Sequence, residues 1–304
     1  MIDVSVILTT YNSAQSIQRV VDAIRNQEGI NSVFQLELIV VDDCSTDGTQ
    51  EILGRNHIDF ISTEHNSGGP NKGRNIGLSK ATGAYIAIAD HDDVWHSNKL
   101  VTLLPYLKQA AIITSGYTLE DTTTGKRTDR IGTGKNTNEA IVYEANATFK
   151  NRLIRSHNGQ QAYLGSILFS SELKHIQFEE SFGMVDFDWV LGLFHNQTSI
   201  EVLKPLYKRF VDGKNLSLNP DYRRKDFYYS LFTIEKYEEL YPDLVSLAHR
   251  KLHGSRARYL YLMGDMKKAR TYFCRSQLSV KTMLYYLTTF AGSGLVKKHF
   301  NVFG

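Results

Sequence analysis

The sequence predicts an α/β fold built on a mixed, mainly parallel sheet, followed by a helical C-terminal region. Strand-like and helix-like segments alternate over the first hundred residues, and the strand-like runs are apolar at nearly every position. Alternation of this kind is typical of a parallel sheet that helices cover on both faces. From about Asp221 onward the pattern becomes helical, with tyrosine interleaved with lysine and arginine.

Each element of the first hundred residues has its own signal. The β-branched run Val4–Thr9 predicts the first strand, and Ser16–Asn26 places apolar residues at helical intervals. The apolar run Leu36–Val41 predicts the second strand, and the polar cluster after it caps a helix through about Leu53. The remaining predicted elements are strands at Ile58–Ile61 and Tyr85–Ala89 and helices at Arg74–Lys80 and from Ser97 to about Lys108.

After Ser115 the pattern is weaker. The polar stretch 120–138, rich in threonine and glycine, predicts a surface loop or hairpin. Further along, Leu164–Phe169 predicts a strand, Asp186–His195 a buried helix, and Val202–Phe210 a last strand.

The formal net charge of +3 conceals two oppositely charged regions. Residues 1–201 contain 16 Lys and Arg against 24 Asp and Glu, whereas residues 202–304 contain 19 against 8. Together with the change in pattern, this predicts a first domain over 1–215 and a basic helical region over 216–304. Three uses remain open for the basic region: a cap over the site, a partner-binding module or a membrane-surface anchor.

Several classes of protein are excluded or disfavoured. No stretch approaches 18 apolar residues, so no membrane-spanning helix is predicted. The N-terminus lacks the pattern of a secretory signal, and we therefore expect a cytoplasmic protein. Cys44 and Cys274 are too few for a disulfide framework or a zinc site, and we expect two free thiols. No nucleic-acid-binding motif is present.

Polar clusters follow three of the predicted strands, at Thr9–Asn12, Asp42-Asp43 and Asp90–Asp93. Ligands of open α/β sheets bind at the carboxyl ends of the strands. A D-x-D after an apolar strand can hold Mg²⁺ or Mn²⁺, which takes one or two carboxylates and completes its shell with water and substrate phosphates. We therefore expect a metal–diphosphate ligand, although turn chemistry alone could explain Asp42-Asp43.

A glycine-rich stretch, 66–75, lies between the third and fourth predicted strands and enters the predicted helix at Arg74–Lys80. The spacing of Gly68 and Gly73 imitates a P-loop, but Arg74-Asn75 stands where Lys-Ser/Thr is required. No G-x-G-x-x-G follows the first strand, which argues against a dinucleotide-dependent dehydrogenase. Lys72 and Arg74 at the helix entrance can still meet an anion; the alternative is an ordinary connection with solvated cations.

In combination, the runs VSVILTTYN, LIVVDDCSTDGT, GRNIGL and YIAIADHDD resemble the nucleotide-sugar domain of inverting glycosyltransferase family 2. These motifs cover about residues 3–100. The resemblance implies a GT-A fold, with 1–100 as its nucleotide-binding half and 101–215 as its acceptor half. It also implies a nucleotide-diphospho-sugar donor, usually a UDP-sugar, and a Mn²⁺ or Mg²⁺ ion.

By position, the resemblance implies which residues meet the donor. Thr9 and Tyr11 would line the nucleoside pocket, and Asp43 would accept a hydrogen bond from the base. Asp92 would be the direct metal ligand of the D-x-D, with Asp90 as the second. The complete implied donor-binding set is Thr9, Tyr11, Asp42, Asp43, Lys72, Arg74, Asp90 and Asp93.

The family's general base lies in the pattern E-D-x-D-x-x-L, which 185–191 matches with Val185 in place of Glu. The match implies Asp186 as the base that deprotonates the acceptor hydroxyl, with Asp188 as the second candidate and a plain helix N-cap as the alternative. Lys72 or Arg74, with the metal, would neutralise the departing diphosphate. One displacement would invert the anomeric centre.

We therefore expect a metal-dependent glycosyltransferase of the hexosyl or N-acetylhexosaminyl type that acts in cell-surface polysaccharide synthesis. Its acceptor would be a hydroxyl of a glycan or of a lipid-linked acceptor. Its segment 278–303 could touch the inner face of a membrane; the alternative is an amphipathic helix packed on the catalytic domain. The alternative is a non-catalytic nucleotide-sugar-binding or scaffold protein of a glycan-assembly complex. A nucleotidyltransferase is disfavoured, because no glycine-rich Lys/Arg loop follows the first strand.

Overall fold

A computed structural model of the chain describes residues 2–133, 139–156, 158–183, 185–211, 219–292 and 294. The chain divides into two compact units. The first unit comprises 1–151 and 157–222, and the second comprises 152–156 and 223–304. The predicted domain boundary at residue 215 lies outside the described residues.

The first unit is built on one mixed sheet. Its strands in the described part of the chain are β1 (Ile2–Thr10), β2 (Phe34–Asp42), β3 (Phe60–Ser62), β4 (Tyr85–Asp90), β5 (Val94–Trp95), β6 (Ile112–Asp121), β7 (Arg127–Arg130), β8 (Ala140–Tyr143), β9 (Leu168–Ser170) and β10 (Ser199–Val211). The order across the sheet is β3-β2-β1-β4-β9-β6-β10-β5, with β7 paired to β6 and β8 to β10. The predicted fold class is confirmed.

Helices flank this sheet and form the C-terminal region. In the first unit they are α1 (Ile17–Arg25), α2 (Thr49–Arg55), α3 (Asn71–Lys80), α4 (Lys99–Leu103), α5 (Ala147–Leu153) and α6 (Phe187–Phe194). The later helices are α7 (Pro220–Glu235), α8 (Pro242–Leu262), α9 (Met266–Cys274) and α10 (Val280–Thr288). The predicted C-terminal helices are therefore present.

The centre of the sheet is parallel and apolar. Strand β1 pairs in parallel with β2 on one side and with β4 on the other. The register places Thr10 opposite Asp42 and Thr9 opposite Asp90, so the polar ends of three strands lie side by side. This alignment follows from the parallel direction of the strands and brings segments far apart in sequence to one edge.

Helix α3 lies unusually close to β1 because two of its residues are glycine. A Cβ built on Gly77 would stand 2.3 Å from Cγ2 of Ile7, and one on Gly73 would stand 3.1 Å from Cγ2 of Thr9. Residues i and i+4 share one face of a helix. The glycines therefore form the contact face that lets the backbone of α3, and with it Arg74, approach the ends of the strands.

Some predicted elements differ from those observed. The predicted helix from Ser97 to Lys108 is α4 followed by a 3₁₀ turn at Leu104–Tyr106, because Pro105 has no N–H to continue an α-helix. The predicted strand Leu164–Phe169 is a 3₁₀ turn over its first half and β9 over its second. The described part of 120–138 forms the β6–β7 hairpin. Strand β8 and helix α5 were not predicted.

The second unit has an aromatic core of its own. Tyr261, Phe273 and Tyr285 come from α8, α9 and α10 and pack together with Ala257 and Ala269. Ring centroids of Tyr261 and Tyr285 are 5.2 Å apart in an edge-to-face arrangement. Among the described residues, no helix is both long and apolar enough to cross a membrane.

Candidate active site

The polar ends of β1, β2 and β4, residues 9–12, 42–43 and 90–93, form what we call the strand-edge site. The loops after β1 and β2 are tied to each other by side chains. Oδ1 of Asn12 accepts a hydrogen bond from the N–H of Thr46 (2.8 Å), and Oδ2 of Asp47 accepts one from the N–H of Ala14 (3.0 Å). The site is therefore bounded by loops that hold one another in place.

Asp42 and Asp43 are both buried, and hydrogen bonds from neighbouring loops satisfy their carboxylates. Asp42 accepts hydrogen bonds from the N–H and hydroxyl of Ser45 and from the amide of Gln50. Asp43 accepts from the hydroxyl of Thr63 and from the three donors that Asn66 and Ser67 present. In this arrangement the two aspartates shape the loops after β2 and β3.

Arg74 forms the central ion pair of the site. Its Nη2 donates to Oδ1 of Asp90 at 2.9 Å, and its guanidinium lies 5.2 Å from the ring centre of Phe178. Burial alone would raise the pKa of Asp90, but the facing Arg74 outweighs it and lowers that pKa below its usual value. Asp90 is therefore held as a carboxylate.

The other two carboxylates of the D-x-D-D run repel each other and Asp90. Withdrawal from water, together with the charge on Asp90, raises the pKa of Asp92. Burial and the charges of Asp90 and Asp92 raise the pKa of Asp93 well above its usual value. A divalent cation would relieve this repulsion, and oxygen ligands are those that Mg²⁺ and Mn²⁺ prefer. The donor set therefore fits such an ion.

An all-protein metal site is not formed by these residues. Within the described ranges, no group of three or more His, Cys, Asp or Glu side chains is arranged to hold a metal ion. Mg²⁺ commonly needs only one or two carboxylates when substrate phosphates supply the other ligands. Asp92, with Asp90, thus offers a partial site of the kind that a diphosphate would complete.

Asn71 connects Arg74 to the loop that carries Asp186. Its side chain is fully buried; its Oδ1 accepts a hydrogen bond from Nη1 of Arg74 at 2.9 Å. Its Nδ2 donates to the carbonyl oxygens of Glu179 (2.7 Å) and Val185 (3.0 Å). A continuous series of side-chain contacts therefore runs from Asp90 through Arg74 and Asn71 to the residue before Asp186.

Asp186 occupies the N-cap position of α6, but its side chain does not cap the helix. Its carboxylate is half-buried and has no hydrogen-bond or ion-pair partner in the part of the chain that the structure describes. Asp188 lies in the first turn of α6, where a negative charge is favourable. The arrangement leaves the carboxylate of Asp186 available to a bound molecule.

The other predicted donor-binding residues differ in exposure. Thr9 is buried against Gly73, whereas the side chain of Tyr11 is 42% exposed beyond the end of β1. Lys72 is half-buried on the first turn of α3, and its ammonium has no ion-pair partner among the described residues. Of these three, Tyr11 and Lys72 are the side chains a ligand could reach without rearrangement.

Lys99 is a fully buried lysine beneath the D-x-D-D run that the sequence analysis missed. Its ammonium donates to the carbonyl oxygen of Gly165 and lies 3.5 Å from the ring centre of Trp95. Burial lowers the pKa of Lys99 well below its usual value, although Asp93 opposes that shift. A Cβ on Gly165 would stand 3.1 Å from Oδ2 of Asp93, so lysine, glycine and aspartate form one packed group.

Arg209 on β10 is a second missed residue. Its guanidinium lies 4.8 Å from the ring centre of Tyr163 and 5.6 Å from that of Tyr117. Burial lowers its pKa, but Tyr207 and Asp93 outweigh burial and raise it. The period-two alternation that places Tyr207 and Arg209 on one face of β10 was the available signal.

Comparison with known proteins identifies a family. The family described as "Glycosyl transferase family 2" matches residues 5–166, more than half of the chain. The putative teichuronic acid biosynthesis glycosyltransferase TuaG of Bacillus subtilis is 37% identical over 123 residues, which are 38% of this chain and 47% of TuaG. Poly(ribitol-phosphate) β-N-acetylglucosaminyltransferase TarS of Staphylococcus aureus is 40% identical over 97 residues, 31% of this chain and 17% of TarS. The matches span less than half of these relatives.

Solved structures support the same fold. The crystal structure of S. aureus TarS 1-349 in complex with UDP-GlcNAc superposes with a TM-score of 0.65 at 19% identity, covering 90% of this chain and 79% of that one. The complex with UDP gives 0.64 at 20% identity, covering 94% and 80%. This likeness confirms the predicted GT-A fold, and the family match confirms the resemblance seen in the motifs. The chain belongs to glycosyl transferase family 2.

Proposed function

We propose that this protein is an inverting glycosyltransferase that transfers a sugar from a nucleotide-diphospho-sugar, such as a UDP-sugar, to a hydroxyl of a glycan or lipid-linked acceptor. The observation that carries the proposal is the contact series Asp90–Arg74–Asn71–Val185. It couples the carboxylates at the end of β4 to the loop that presents Asp186. Arg74, which we propose to bind the sugar donor, is thereby linked to the loop of Asp186, the proposed proton acceptor.

The proposed reaction needs one proton acceptor and one departing group. The acceptor hydroxyl oxygen forms a bond to the anomeric carbon, the bond from that carbon to the diphosphate oxygen breaks, and the hydroxyl proton passes to Asp186. Because attack and departure occur on opposite faces, the configuration at the anomeric carbon inverts. Asp186 is suited to this role because its carboxylate has no other partner among the described residues.

Positively charged side chains of the protein offset the negative charge that develops on the departing diphosphate. Lys72 has no ion-pair partner within the described residues and can turn toward a phosphate, whereas Arg74 is already paired with Asp90. A bound Mg²⁺ or Mn²⁺ would supply further charge neutralisation, held by Asp92 and Asp90. By the family resemblance, Asp93 would lie close to the sugar and Tyr11 would line the nucleoside pocket.

Cell-surface polysaccharide synthesis is the process we propose for this reaction. TuaG is named for teichuronic acid biosynthesis, and TarS for transfer to poly(ribitol-phosphate). A further relative from Campylobacter jejuni, 31% identical over 105 residues, is named for glucosyl transfer to an undecaprenol-linked glycan. These names support a glycan or lipid-linked acceptor of bacterial type.

Turnover of a panel of UDP-sugars tests the proposal. Each donor is incubated with the protein and Mn²⁺ or Mg²⁺, and release of UDP is measured with and without a chelator. We expect UDP release from at least one donor and its loss on chelation. Nucleotide-sugar binding without turnover across the panel would instead support the non-catalytic alternative, a scaffold protein of a glycan-assembly complex.

We also propose that α10 contacts an anionic membrane surface. Apolar side chains on and just before this helix are exposed: Leu278, Val280, Met283, Leu284 and Leu287. Amphipathic helices with such a face bind the interface of anionic bilayers. Lys297 and Lys298 belong to the segment 278–303 and lie outside the described residues.

Co-sedimentation with vesicles tests the membrane contact. We expect binding to phosphatidylglycerol vesicles at low salt that Leu287→Glu weakens about tenfold or more. Met263→Glu is the matched control, because Met263 is an equally exposed apolar residue outside α10. No sedimentation at low salt, or equal loss in both variants, would end the proposal.

A further inference from the structure

A small cavity in the second unit has a basic lining that the proposed transfer reaction does not use. It lies among α7, α8 and the segment 152–156, and its volume is about 30 Å³. Roughly 10–15 Å³ of such space holds one water molecule. The cavity therefore admits a group of a few heavy atoms and is too small for a nucleotide.

The charges that line this cavity do not balance. Three arginines, Arg155, Arg223 and Arg256, face one carboxylate, Asp226. Arg155 pairs with Asp226 at 3.3 Å and also donates to the hydroxyl of Ser230. Neither Arg223 nor Arg256 has an ion-pair partner among the described residues. Two positive charges are thus left beside one cavity, where an anion would be stabilised.

Two of the arginines that line the cavity have a guanidinium N–H group without a hydrogen-bond acceptor among the described residues. Nε of Arg223 and Nε of Arg256 are buried, and neither has a hydrogen-bond acceptor within the described part of the chain. A buried N–H without an acceptor is costly, so such a group indicates a missing partner. The two arginines come from different helices, α7 and α8, and both line the cavity.

Aromatic rings hold Arg256 in place without neutralising it. Its guanidinium lies 5.6 Å from the ring centre of Phe227 and 5.5 Å from that of Tyr259. It also donates to the carbonyl oxygen of Arg223 at 3.5 Å and is within hydrogen-bonding reach of Tyr272. Because these partners are uncharged, Arg256 is pre-oriented and keeps its full positive charge for a ligand.

We propose that this arginine cavity binds a phosphate group. Guanidinium N–H forks match phosphate oxygens and give short, charge-assisted hydrogen bonds. A phosphate monoester carries a charge of roughly −1.5 to −2 at neutral pH, which complements the two positive charges left unbalanced. Free phosphate, a phosphodiester of a polymer and a lipid headgroup all present phosphate oxygens to the guanidinium groups, although a diester carries a single negative charge.

Titration of the full chain with inorganic phosphate tests the site. Binding is measured by calorimetry at constant ionic strength for the wild type, Arg223→Gln, Arg256→Gln and Arg250→Gln. Arg250 is the matched control, because it lies exposed on α8, and within the described ranges its guanidinium hydrogen-bonds the side chain of Ser246 and does not line the cavity. Phosphate bound at the strand-edge site contributes equally to all four proteins, so the differences report on the arginine cavity.

We expect the cavity variants to weaken phosphate binding by about tenfold or more, with no change in Arg250→Gln. Arg256→Lys keeps the positive charge but lacks the bidentate guanidinium group, so it should weaken phosphate binding by a smaller factor. This conservative variant also controls for loss of binding through misfolding. In the wild type, the ¹⁵Nε resonances of Arg223 and Arg256 should shift on addition of phosphate. Equal phosphate affinity in all variants, with unshifted resonances, would show that the cavity holds only water and would overturn the proposal.

Vesicles then distinguish the sources of the phosphate. If Arg256→Gln also weakens binding to phosphatidylglycerol vesicles, and free phosphate competes with them, the natural ligand is a lipid headgroup. If vesicle binding is unchanged while phosphate affinity falls, the ligand is a soluble or polymeric phosphate. Both results support the site and assign its ligand.

Discussion

Replacement of Asn71 by alanine removes the link between the ion pair of Arg74 and the loop that carries Asp186. Three side-chain hydrogen bonds are lost: those to the carbonyls of Glu179 and Val185 and that from Arg74. The backbone N–H of Asn71 still donates to Gly183. The substitution therefore loosens the loop without removing a charged group.

The size of the effect follows from these bonds. At about 1 kcal/mol for each buried hydrogen bond, with more where a charged partner is left unmet, the free energy of unfolding should fall by about 3–4 kcal/mol. A displacement of Asp186 by about 1 Å would lower the rate of transfer by about 10²-fold. Binding of UDP should change less than the rate, because the strand-edge loops are held independently of Asn71.

Asn75→Ala is the matched control. Asn75 lies one turn further along α3 and also binds the loop, through the backbone of Phe178 and the carboxylate of Glu180, but among the described residues its side chain hydrogen-bonds neither the guanidinium of Arg74 nor Val185. Urea unfolding gives the stability of both variants, and single-turnover transfer gives their rates. If Asn71→Ala transfers as fast as the wild type, or if Asn75→Ala loses as much activity, the specific link is refuted.

Three other predictions concern stability, and urea unfolding measures each of them. Gly77→Ala should lower the free energy of unfolding by about 1–3 kcal/mol, because its methyl group would collide with Ile7; an unchanged midpoint would contradict this packing. Lys99→Met should cost about 1–3 kcal/mol, because the carbonyl of Gly165 loses its donor, whereas a gain in stability would exclude that role. Burial raises the pKa of Glu37, but hydrogen bonds from Ser5 and Thr82 outweigh it and lower that pKa below 4.5. The contribution of Glu37 to the free energy of unfolding is therefore complete above pH 4.5 and is lost as the pH falls through the folded-state pKa. Glu37→Gln should reduce the pH dependence of the free energy of unfolding in this acidic range, and an unchanged pH dependence would contradict the prediction.

The central sheet could be predicted because its signals are local. Buried parallel strands such as β1 and β4 are continuous apolar runs, and the apolar spacing of α1 is helical. Pro105 indicates the early end of α4, but the prediction did not take it into account. Strand β8 has only four residues and helix α5 only seven, too few to show a period.

The candidate site could be predicted only in part, for a similar reason. Asp90, Arg74 and Asp186 lie in recognisable motifs, so their sequence neighbours identify them. The carbonyl oxygens that Asn71 and Lys99 bind, those of Glu179, Val185 and Gly165, lie 66 or more residues away in sequence, and only the folded backbone brings them together. The resemblance implied a sugar or acceptor contact at Gly165-Ser166, but the contact of Gly165 with Lys99 could not be predicted, because nothing in the neighbouring sequence indicates a lysine there.

The placement of the proton acceptor is the central claim, and a pair of variants tests it most directly. Asp186→Asn and Asp188→Asn make the same change two residues apart, at the N-cap and in the first turn of α6. Transfer rates and UDP affinity are measured for both. The account predicts that Asp186→Asn lowers the rate by about 10²–10⁴-fold with UDP affinity unchanged, while Asp188→Asn stays within a few-fold of the wild type. Full transfer activity in Asp186→Asn would contradict it.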